Sequence, residues 1–280
     1  MPKSETWNAR KSQSMKYPHW LAGTCASAIA GLAAAGLPRT AHAWGDLVLI
    51  ESPPEIATRS IGASLWALPR YPGAGRERAT LWPALDYYAP SGVFVSTETG
   101  VGWNVSRRKD LQAGLRLWPQ PGRKSSAGPA GVSPLNARIQ QEAFLNYQAL
   151  SALLLQSGLL HGSGHHGDGM QFEFGATSGV PIGKDLLGVG VAATFANHAH
   201  RQSYYGISQA DAATSGLPAT GIPAGWQDLS VTFSVEHRFD SRWHTDGQIV
   251  VARLVGAAAA TPIVASRTQA AATLTLWYDW

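Results

Sequence analysis

The chain has 280 residues, of which 45% are hydrophobic and only 14% charged, and its formal charge at pH 7 is +4. Soluble domains usually carry about 25% charged residues, so this composition argues against an ordinary water-facing surface. Mean hydropathy is −0.09, and the apolar runs of about 20 residues that helical membrane proteins need are lacking, apart from one weak candidate near the N-terminus.

The N-terminal segment predicts export. Lys11 and Lys16 precede an Ala- and Gly-rich apolar stretch, Leu21 to Leu37, which is followed by the small-x-small site Ala41-His42-Ala43. This order is that of a secretory signal peptide over residues 1–43, with Met15 as an alternative start, and it leaves 44–280 as the exported domain. An N-terminal membrane anchor fits less well, because the stretch is short and rich in small residues.

Removal of residues 1–43 changes the charge balance and the redox chemistry of the chain. It takes away five of 22 basic and one of 18 acidic residues, so the mature chain has 17 of each and is formally neutral. A nucleic-acid partner therefore loses its electrostatic basis. Because Cys25 is the only cysteine, the mature chain has no disulfide, no thiolate metal site and no cysteine nucleophile.

Beyond Trp44, apolar and polar residues alternate with the period of two that is typical of β-strands. In residues 227–239, for example, Leu229, Val231 and Phe233 alternate with Ser230 and Thr232. In chain order the pattern predicts eleven strands, at 61–68, 80–88, 93–104, 111–117, 142–149, 152–160, 170–177, 187–195, 227–239, 245–255 and 272–280. Many reach the 9 to 11 residues that a tilted strand needs to cross a bilayer.

The connections between these strands alternate in length. Short ones include 149–151, 181–185 and 240–243, and long ones include 119–138, 161–169 and 198–225. This asymmetry is typical of outer-membrane barrels, with short periplasmic turns and longer outer loops. The sequence predicts an all-β, antiparallel transmembrane barrel of about 12 strands (10–12), and a segment around Leu47 to Ile50 is a candidate for the twelfth.

One face of each predicted strand is apolar, whereas the other mixes small and polar residues with isolated charges. We expect these charges to face the lumen of the barrel and to pair there: Glu98, Arg116, Glu173, Glu236, Arg238, Asp246 and Arg253. Aromatic residues near strand ends are typical of the girdles at the membrane interfaces. They are Trp66, Tyr87, Tyr88, Trp103, Trp118, Trp226, Trp243, Trp277 and Tyr278.

The C-terminal strand carries a candidate assembly signal. Leu274, Leu276 and Tyr278 alternate with polar residues, and the sequence ends on Trp280. A terminal aromatic on an amphipathic strand resembles the signal read by the barrel assembly machinery, which we expect to be a partner together with outer-membrane lipid.

A loop before the last three strands resembles the hallmark loop of the MipA/OmpV outer-membrane family. The resemblance rests on Tyr204, Tyr205, Gly206, Ile207 and Ser208, then on Asp211, then on Ser215, Gly216, Leu217, Pro218 and Ala219. Thr261-Pro262-Ile263-Val264, with Arg267 and Gln269, is similar to the last outer loop of the family. The similarity is specific from Phe195 to Trp280 and looser back to Ile61, whereas residues 44–58 depart from the usual opening.

This resemblance implies a non-enzymatic outer-membrane barrel in a Gram-negative envelope. Some members of the family are described as scaffolds that bring together a lytic transglycosylase and a bifunctional peptidoglycan synthase, and others as adhesins or porins. The family brings no catalytic residue set and no cofactor, so we expect none here.

Local motifs offer little chemistry of their own. His161, His165, His166 and Asp168 could bind Zn²⁺ or Ni²⁺, but a Gly-rich loop does not preorganise ligands, and we predict no metal site. Ser163 lies near these histidines but lacks the Gly-x-Ser-x-Gly spacing of a nucleophile elbow. Four hypotheses stay open: a scaffold barrel, a narrow channel, a barrel-borne lipid hydrolase, and a soluble secreted β-sandwich.

Overall fold

A computed structural model describes residues 52–120 and 122–280. The predicted signal peptide and the candidate strand at Leu47–Ile50 lie outside the described residues. Twelve strands are found: Thr58–Pro69 (β1), Glu77–Tyr88 (β2), Val93–Ser96 (β3), Gly100–Asn104 (β4), Leu111–Gln120 (β5), Arg138–Leu150 (β6), Leu153–Ser163 (β7), Gly169–Ile182 (β8), Asp185–Ala196 (β9), Gly225–Arg238 (β10), Trp243–Leu254 (β11) and Thr268–Asp279 (β12).

In residues 52–120 and 122–280, three short helices accompany the strands. His198–Tyr205 (α1) and Gln209–Ser215 (α2) lie between β9 and β10, and the 3-10 helix Gly256–Ala260 lies between β11 and β12. Within the described ranges, no helix has both the length and the apolar character needed to cross a membrane.

The strands form a closed antiparallel barrel in which each strand pairs with its sequence neighbours. β1 closes the barrel against β12, from Ser60 opposite Asp279 to Ala67 opposite Ala272. Closure pairs the backbone groups of both terminal strands, so neither β1 nor β12 is an edge strand. The predicted all-β barrel of about 12 strands is confirmed.

The twelfth strand arises differently from the expectation. The single strand predicted at 93–104 is in fact a hairpin, in which β3 and β4 pair from Val93 opposite Trp103 to Ser96 opposite Gly100. The turn at 97–99 is followed by Gly100 with φ +86°, a backbone conformation that glycine adopts without steric cost. The described residues therefore supply twelve strands without Leu47–Ile50.

Because β3 is so short, β2 pairs with it only from Asp86 to Tyr88. The remainder of β2 has β1 as its sole ladder partner among the described strands. Pro83 lies on this free edge, and Pro119 lies on β5 beyond the end of its ladder with β4. Proline lacks an N–H, so it is tolerated at a strand edge and discourages a further strand from pairing there.

The two ends of the barrel differ in their connections. The end that carries the chain termini of the barrel, here called the turn end, has only the connections 89–92, 105–110, 151–152, 183–184 and 239–242. The opposite end, here called the loop end, has the connections 70–76, 121–137, 164–168, 197–224 and 255–267. The three longest connections, 121–137, 197–224 and 255–267, all lie at the loop end, which confirms the predicted asymmetry.

The two faces of the wall have opposite polarity. Large apolar side chains point outward, among them Leu81, Leu115 and Phe233, which are 71%, 65% and 56% exposed. Glutamines 140, 156 and 171 point inward with Asn146 and Thr275 and are buried. A wall that is apolar outside and polar inside is the arrangement of a membrane-spanning barrel and the reverse of a water-soluble one.

The aromatic residues near strand ends divide between the two faces. Trp103, Trp226 and Trp243 are exposed on the outside, as a girdle requires. Trp66, Tyr88, Trp118 and Trp277 are instead buried inside the barrel, so their predicted place in a girdle is wrong. In the alternation along their strands, these four residues occupy positions that face the lumen. A position near the end of a strand does not by itself reveal which face a side chain takes.

A closed barrel of this kind is expected to be heat-modifiable. The unboiled protein from isolated outer membranes should migrate differently on SDS gels from the boiled protein, because a barrel closed by the pairing of β1 with β12 is expected to stay folded in detergent until it is heated. An identical mobility for both samples, together with recovery in the soluble fraction, would contradict the membrane barrel.

Candidate functional site

Residues 197–224 fold into the loop end of the lumen and are here called the plug. Asn197 caps α1 by accepting a hydrogen bond from the backbone N–H of His200 at 2.9 Å. Ser208 caps α2 in the same way through the N–H of Asp211 at 3.0 Å. Gly216 ends α2 in the left-handed conformation, with φ +70°. These local signals form two short helices that only packing inside the barrel can stabilise.

Two tyrosines at the end of α1 anchor the plug. Tyr204 and Tyr205 are 2% and 0% exposed and pack with Leu135, Ile222 and Leu254. Burial raises the pKa of both phenols well above the usual value, so both stay protonated and neutral. Each buried aromatic ring contributes a large apolar contact to the plug.

Two polar side chains, one at the end of β5 and one in the connection that follows it, hold Tyr204 in place. Gln120 donates from Nε2 to the Tyr204 hydroxyl at 2.9 Å, and Arg123 donates from Nη1 to the Tyr204 carbonyl at 2.8 Å. Both are buried. Loss of a hydrogen bond in a protein interior is costly, so these two bonds fix the plug to β5 and to the connection after it.

Asp211 joins the plug to the loop at 122–137. Its Oδ1 accepts bonds from the N–H and the hydroxyl of Ser133, at 2.9 and 2.6 Å, and its Oδ2 accepts one from Ser208 at 2.9 Å. Burial tends to raise the pKa of Asp211, but the bonds from Ser133 and Ser208 outweigh it and hold this pKa below its ordinary value. The carboxylate is therefore charged at neutral pH.

The remaining residues of the family-like loop have structural positions. The N–H of Gly206 donates to Gln202, and Ser215 donates from Oγ to the Asp211 carbonyl at 2.6 Å. Leu217 packs against the buried cluster of Tyr71, Val132, Ile207 and Ile263, whereas Pro218 is exposed. This cluster joins the plug to three other loops of the same end.

A serine–histidine contact joins the plug to the wall. Ser163 Oγ is 2.7 Å from His200 Nδ1, the spacing of a nucleophile and its base. Both residues are 0% exposed, however, and His200 stacks on Tyr204 with ring centroids 4.4 Å apart. The contact therefore holds the plug and gives a lipid substrate no access to Ser163, which argues against the hydrolase hypothesis.

Acid is expected to loosen the plug through His200. Burial, with a smaller effect from the charge of Arg201, lowers the pKa of this imidazole to about 3, whereas an unfolded histidine titrates near 6.5. The neutral imidazole thus stabilises the fold above about pH 6.5, and this contribution is lost as the pH falls toward 3. Between pH 7 and about pH 4.5 the wild type should lose about 2.5 kcal/mol more of its free energy of unfolding than His200→Gln does.

Urea unfolding of the wild type and His200→Gln at pH 7 and at about pH 4.5 measures this difference. His166→Gln, which changes an exposed histidine at the same end, serves as the control and should follow the wild type. Parallel stability profiles for the wild type and His200→Gln would show that His200 is not the acid-labile group.

Of the predicted lumen charges, Arg116 and Glu173 are deeply buried. Arg116 donates from Nε to Glu142 Oε2 at 2.7 Å and from Nη1 to the Thr99 carbonyl at 3.1 Å. Sequence analysis did not single out Glu142, although it lies on the polar face of its strand. Glu173 is 4% exposed on the inner face of β8.

The other lumen charges lie toward the turn end. Glu98 accepts a bond from Thr275 at 2.7 Å, and Asp246 accepts one from the Trp277 indole. Arg238 is 3.0 Å from Glu236 and 3.7 Å from Asp279 at the mouth of the barrel. Glu98, Glu236, Arg238 and Asp246 line a cavity of about 730 Å³ that no plug residue lines.

Arg253 does not face the lumen, and its predicted place there is wrong. It is exposed and has the same parity on β11 as the outward-facing Ile249 and Val251, opposite Leu229 of β10. The period of two along a strand fixes this orientation.

The candidate assembly-signal residues line the outside of β12. Leu274 and Leu276 are 54% and 44% exposed, and Tyr278 lies against Trp243 with ring centroids 5.0 Å apart. Trp280 is exposed, and its N–H donates to the Arg59 carbonyl at 3.2 Å. Their recognition by an assembly machinery stays a prediction.

The residues that hold the plug were largely missed by sequence reasoning. Gln120, Arg123 and Ser133 lie in or next to a predicted long connection, and no local pattern marks them as plug contacts. His161, His165 and His166 are exposed at the loop end. In the described part of the chain, no three His, Asp or Glu side chains are grouped closely enough to hold a metal ion.

Comparison with known proteins gives one family. The family model "MltA-interacting protein MipA" matches residues 61–280. A search of curated proteins finds no significant match.

Several solved outer-membrane proteins are similar to this chain at a low level. A bacterial polysaccharide outer membrane secretin is 9% identical, with 80% of this chain and 98% of that chain covered and a TM-score of 0.37. The outer membrane channel DcaP of Acinetobacter baumannii is 7% identical, with 83% and 100% covered and a TM-score of 0.36. An outer membrane channel from Pseudomonas putida F1 is 9% identical, with 82% and 97% covered and a TM-score of 0.39.

Proposed function

The chain belongs to the MltA-interacting protein MipA family, and on this premise we propose that it is an outer-membrane scaffold that binds cell-wall enzymes at its periplasmic end. As an outer-membrane barrel, it has its turn end in the periplasm and its loop end outside. The partners we propose are a lytic transglycosylase, which the family name suggests, and a peptidoglycan synthase.

The observation that carries the proposal is the plugged lumen. Buried tyrosines and hydrogen-bonded polar side chains fill the outer half, and the cavity of about 730 Å³ has no plug residue in its wall. A transport protein needs a path between the two compartments, whereas a scaffold needs only a rigid wall and an accessible periplasmic surface. Burial of Ser163 and His200 likewise supports a role without catalysis.

Site-directed photo-crosslinking tests the scaffold. A photo-reactive residue at Arg107 or Ser241, both exposed at the turn end, should capture a lytic transglycosylase or a peptidoglycan synthase in intact envelopes. The same residue at Ala219 or Pro262, exposed at the loop end, is the matched control and should capture neither. Absence of any cell-wall enzyme from the turn-end positions would rule the scaffold out.

A narrow channel is the second candidate, because the cavity already occupies the periplasmic part of the lumen. It requires the plug to move under voltage or on binding a ligand. Purified protein in planar bilayers should then show discrete conductance steps, and silence at all voltages would exclude this function for the intact chain.

A further inference from the structure

Four exposed arginines lie at the base of two neighbouring outer loops. Arg70 and Arg76 flank the loop between β1 and β2, where the Arg70 N–H donates to the Arg76 carbonyl at 3.1 Å. Arg253 and Arg267 flank the loop between β11 and β12, where the Leu254 N–H donates to the Arg267 carbonyl at 2.8 Å. These backbone bonds continue the strand ladders, so all four residues lie at the outer rim of the wall. Arg253 has the outward parity of Val251, whereas Arg70, Arg76 and Arg267 begin on the inward side of the rim, in the parity of buried wall residues.

The two loops are bound to each other. The Gly73 carbonyl accepts bonds from the N–H groups of Ala265 and Ser266, at 2.7 and 3.1 Å. Gln269 accepts from the Gly73 N–H at 2.7 Å and donates to the Ala74 carbonyl at 2.5 Å. Since β1 and β12 are also paired, the arginines belong to one continuous side of the outer rim, here called the arginine rim.

The arginine rim carries an unbalanced positive charge. Glu77 is the only acidic residue in 69–78 and 253–269. Within the described residues, none of the four arginines takes part in an ion pair. A cluster of unpaired guanidinium groups attracts anions, and phosphate matches its paired donors in geometry as well as charge.

The position of Arg253 indicates that the anion belongs to a lipid. It stands on the outward face of β11, two residues beyond Val251 and opposite Leu229, which is 54% exposed. A charged residue on the lipid-facing wall is costly at the bilayer centre but costs little at the interface, where phosphate headgroups lie. Acyl chains can contact Leu229 and Val251 while the headgroup meets the guanidinium.

We propose that the arginine rim is a binding site for a phosphorylated glycolipid of the outer leaflet, with Arg253 meeting its phosphate on the outward face and the apolar wall below holding its acyl chains. Arg70, Arg76 and Arg267 begin on the inward side of the same rim and add positive charge above the headgroup. This site is independent of any periplasmic partner, so it stands or falls separately from the scaffold function.

Native mass spectrometry of the full mature chain in detergent, titrated with diphosphorylated lipid A, tests the site. Arg253→Gln/Arg267→Gln should weaken binding about tenfold or more. Arg107→Gln/Lys109→Gln removes the same two charges from an exposed turn at the opposite end and should bind as the wild type does. Dephosphorylated lipid A should bind the wild type as weakly as lipid A binds the rim variant.

Three results would each overturn the proposal. They are wild-type affinity in the rim variant, equal binding of lipid A with and without phosphate, and equal binding of phosphatidylglycerol, which would indicate a general anionic surface. The heat-dependent gel shift verifies that each variant folds. If the Arg253/Arg267 variant does not fold, Arg253→Gln alone tests the phosphate contact and should also weaken binding.

Discussion

A chain in which a Gly-Ser-Gly linker replaces residues 198–224 is expected to conduct ions across planar bilayers, whereas the intact chain is expected to be silent. The replacement is compatible with the barrel, because Ala196 and Gly225 are already paired across β9 and β10. A short hairpin can therefore join them. It removes Tyr204, Tyr205 and Ile222, which fill the outer half of the lumen, and leaves all twelve strands in place.

The control for this experiment keeps the plug but changes its exposed residues. Gln209→Ala/Ala219→Ser alters two exposed positions of the same loop and should stay silent. Before the recordings, a heat-dependent gel shift should verify that both variants are closed barrels. A folded but silent deletion variant would show that inward wall side chains, among them Arg116 and Glu142, close the lumen without the plug.

The strands could be predicted from the sequence because one face meets lipid and the other the lumen, so polarity alternates along each strand. The β3–β4 hairpin shows where this reasoning fails. Val93 pairs with Trp103 and Val95 with Val101, so odd-numbered residues point outward on both sides of the turn. Alternation then continues through the reversal, and the hairpin resembles one long strand.

The plug could not be predicted in the same way, because its contacts join distant segments. Gln120 bonds to Tyr204 across 84 residues, and Ser133 bonds to Asp211 across 78. Neither segment has a periodic pattern that marks one side as buried. The family resemblance identified the loop that forms the plug, but the partners of Tyr204 and Asp211 appear only when the barrel has closed around them.

Replacement of Arg116 by Met is expected to lower the free energy of unfolding by about 3–5 kcal/mol, the usual cost of removing one partner from a buried ion pair. The Arg116 and Glu142 side chains are each 6% exposed, and their charged atoms approach to 2.6 Å. Without Arg116, the Glu142 carboxylate stays buried in the lumen and loses the guanidinium that neutralises it. Urea unfolding of the refolded barrel, followed by tryptophan fluorescence, measures the loss.

An exposed pair of the same chemistry provides the control. Arg108 and Asp110 also approach to 2.6 Å, but their side chains are 62% and 43% exposed, so Arg108→Met should cost only about 0–1 kcal/mol. Arg116→Met/Glu142→Leu should recover most of the loss, because it leaves no unpaired charge behind. Equal costs for Arg116→Met and Arg108→Met would mean that water reaches the inner pair. In that case the outer lumen is hydrated despite the plug, which would favour the channel over the scaffold.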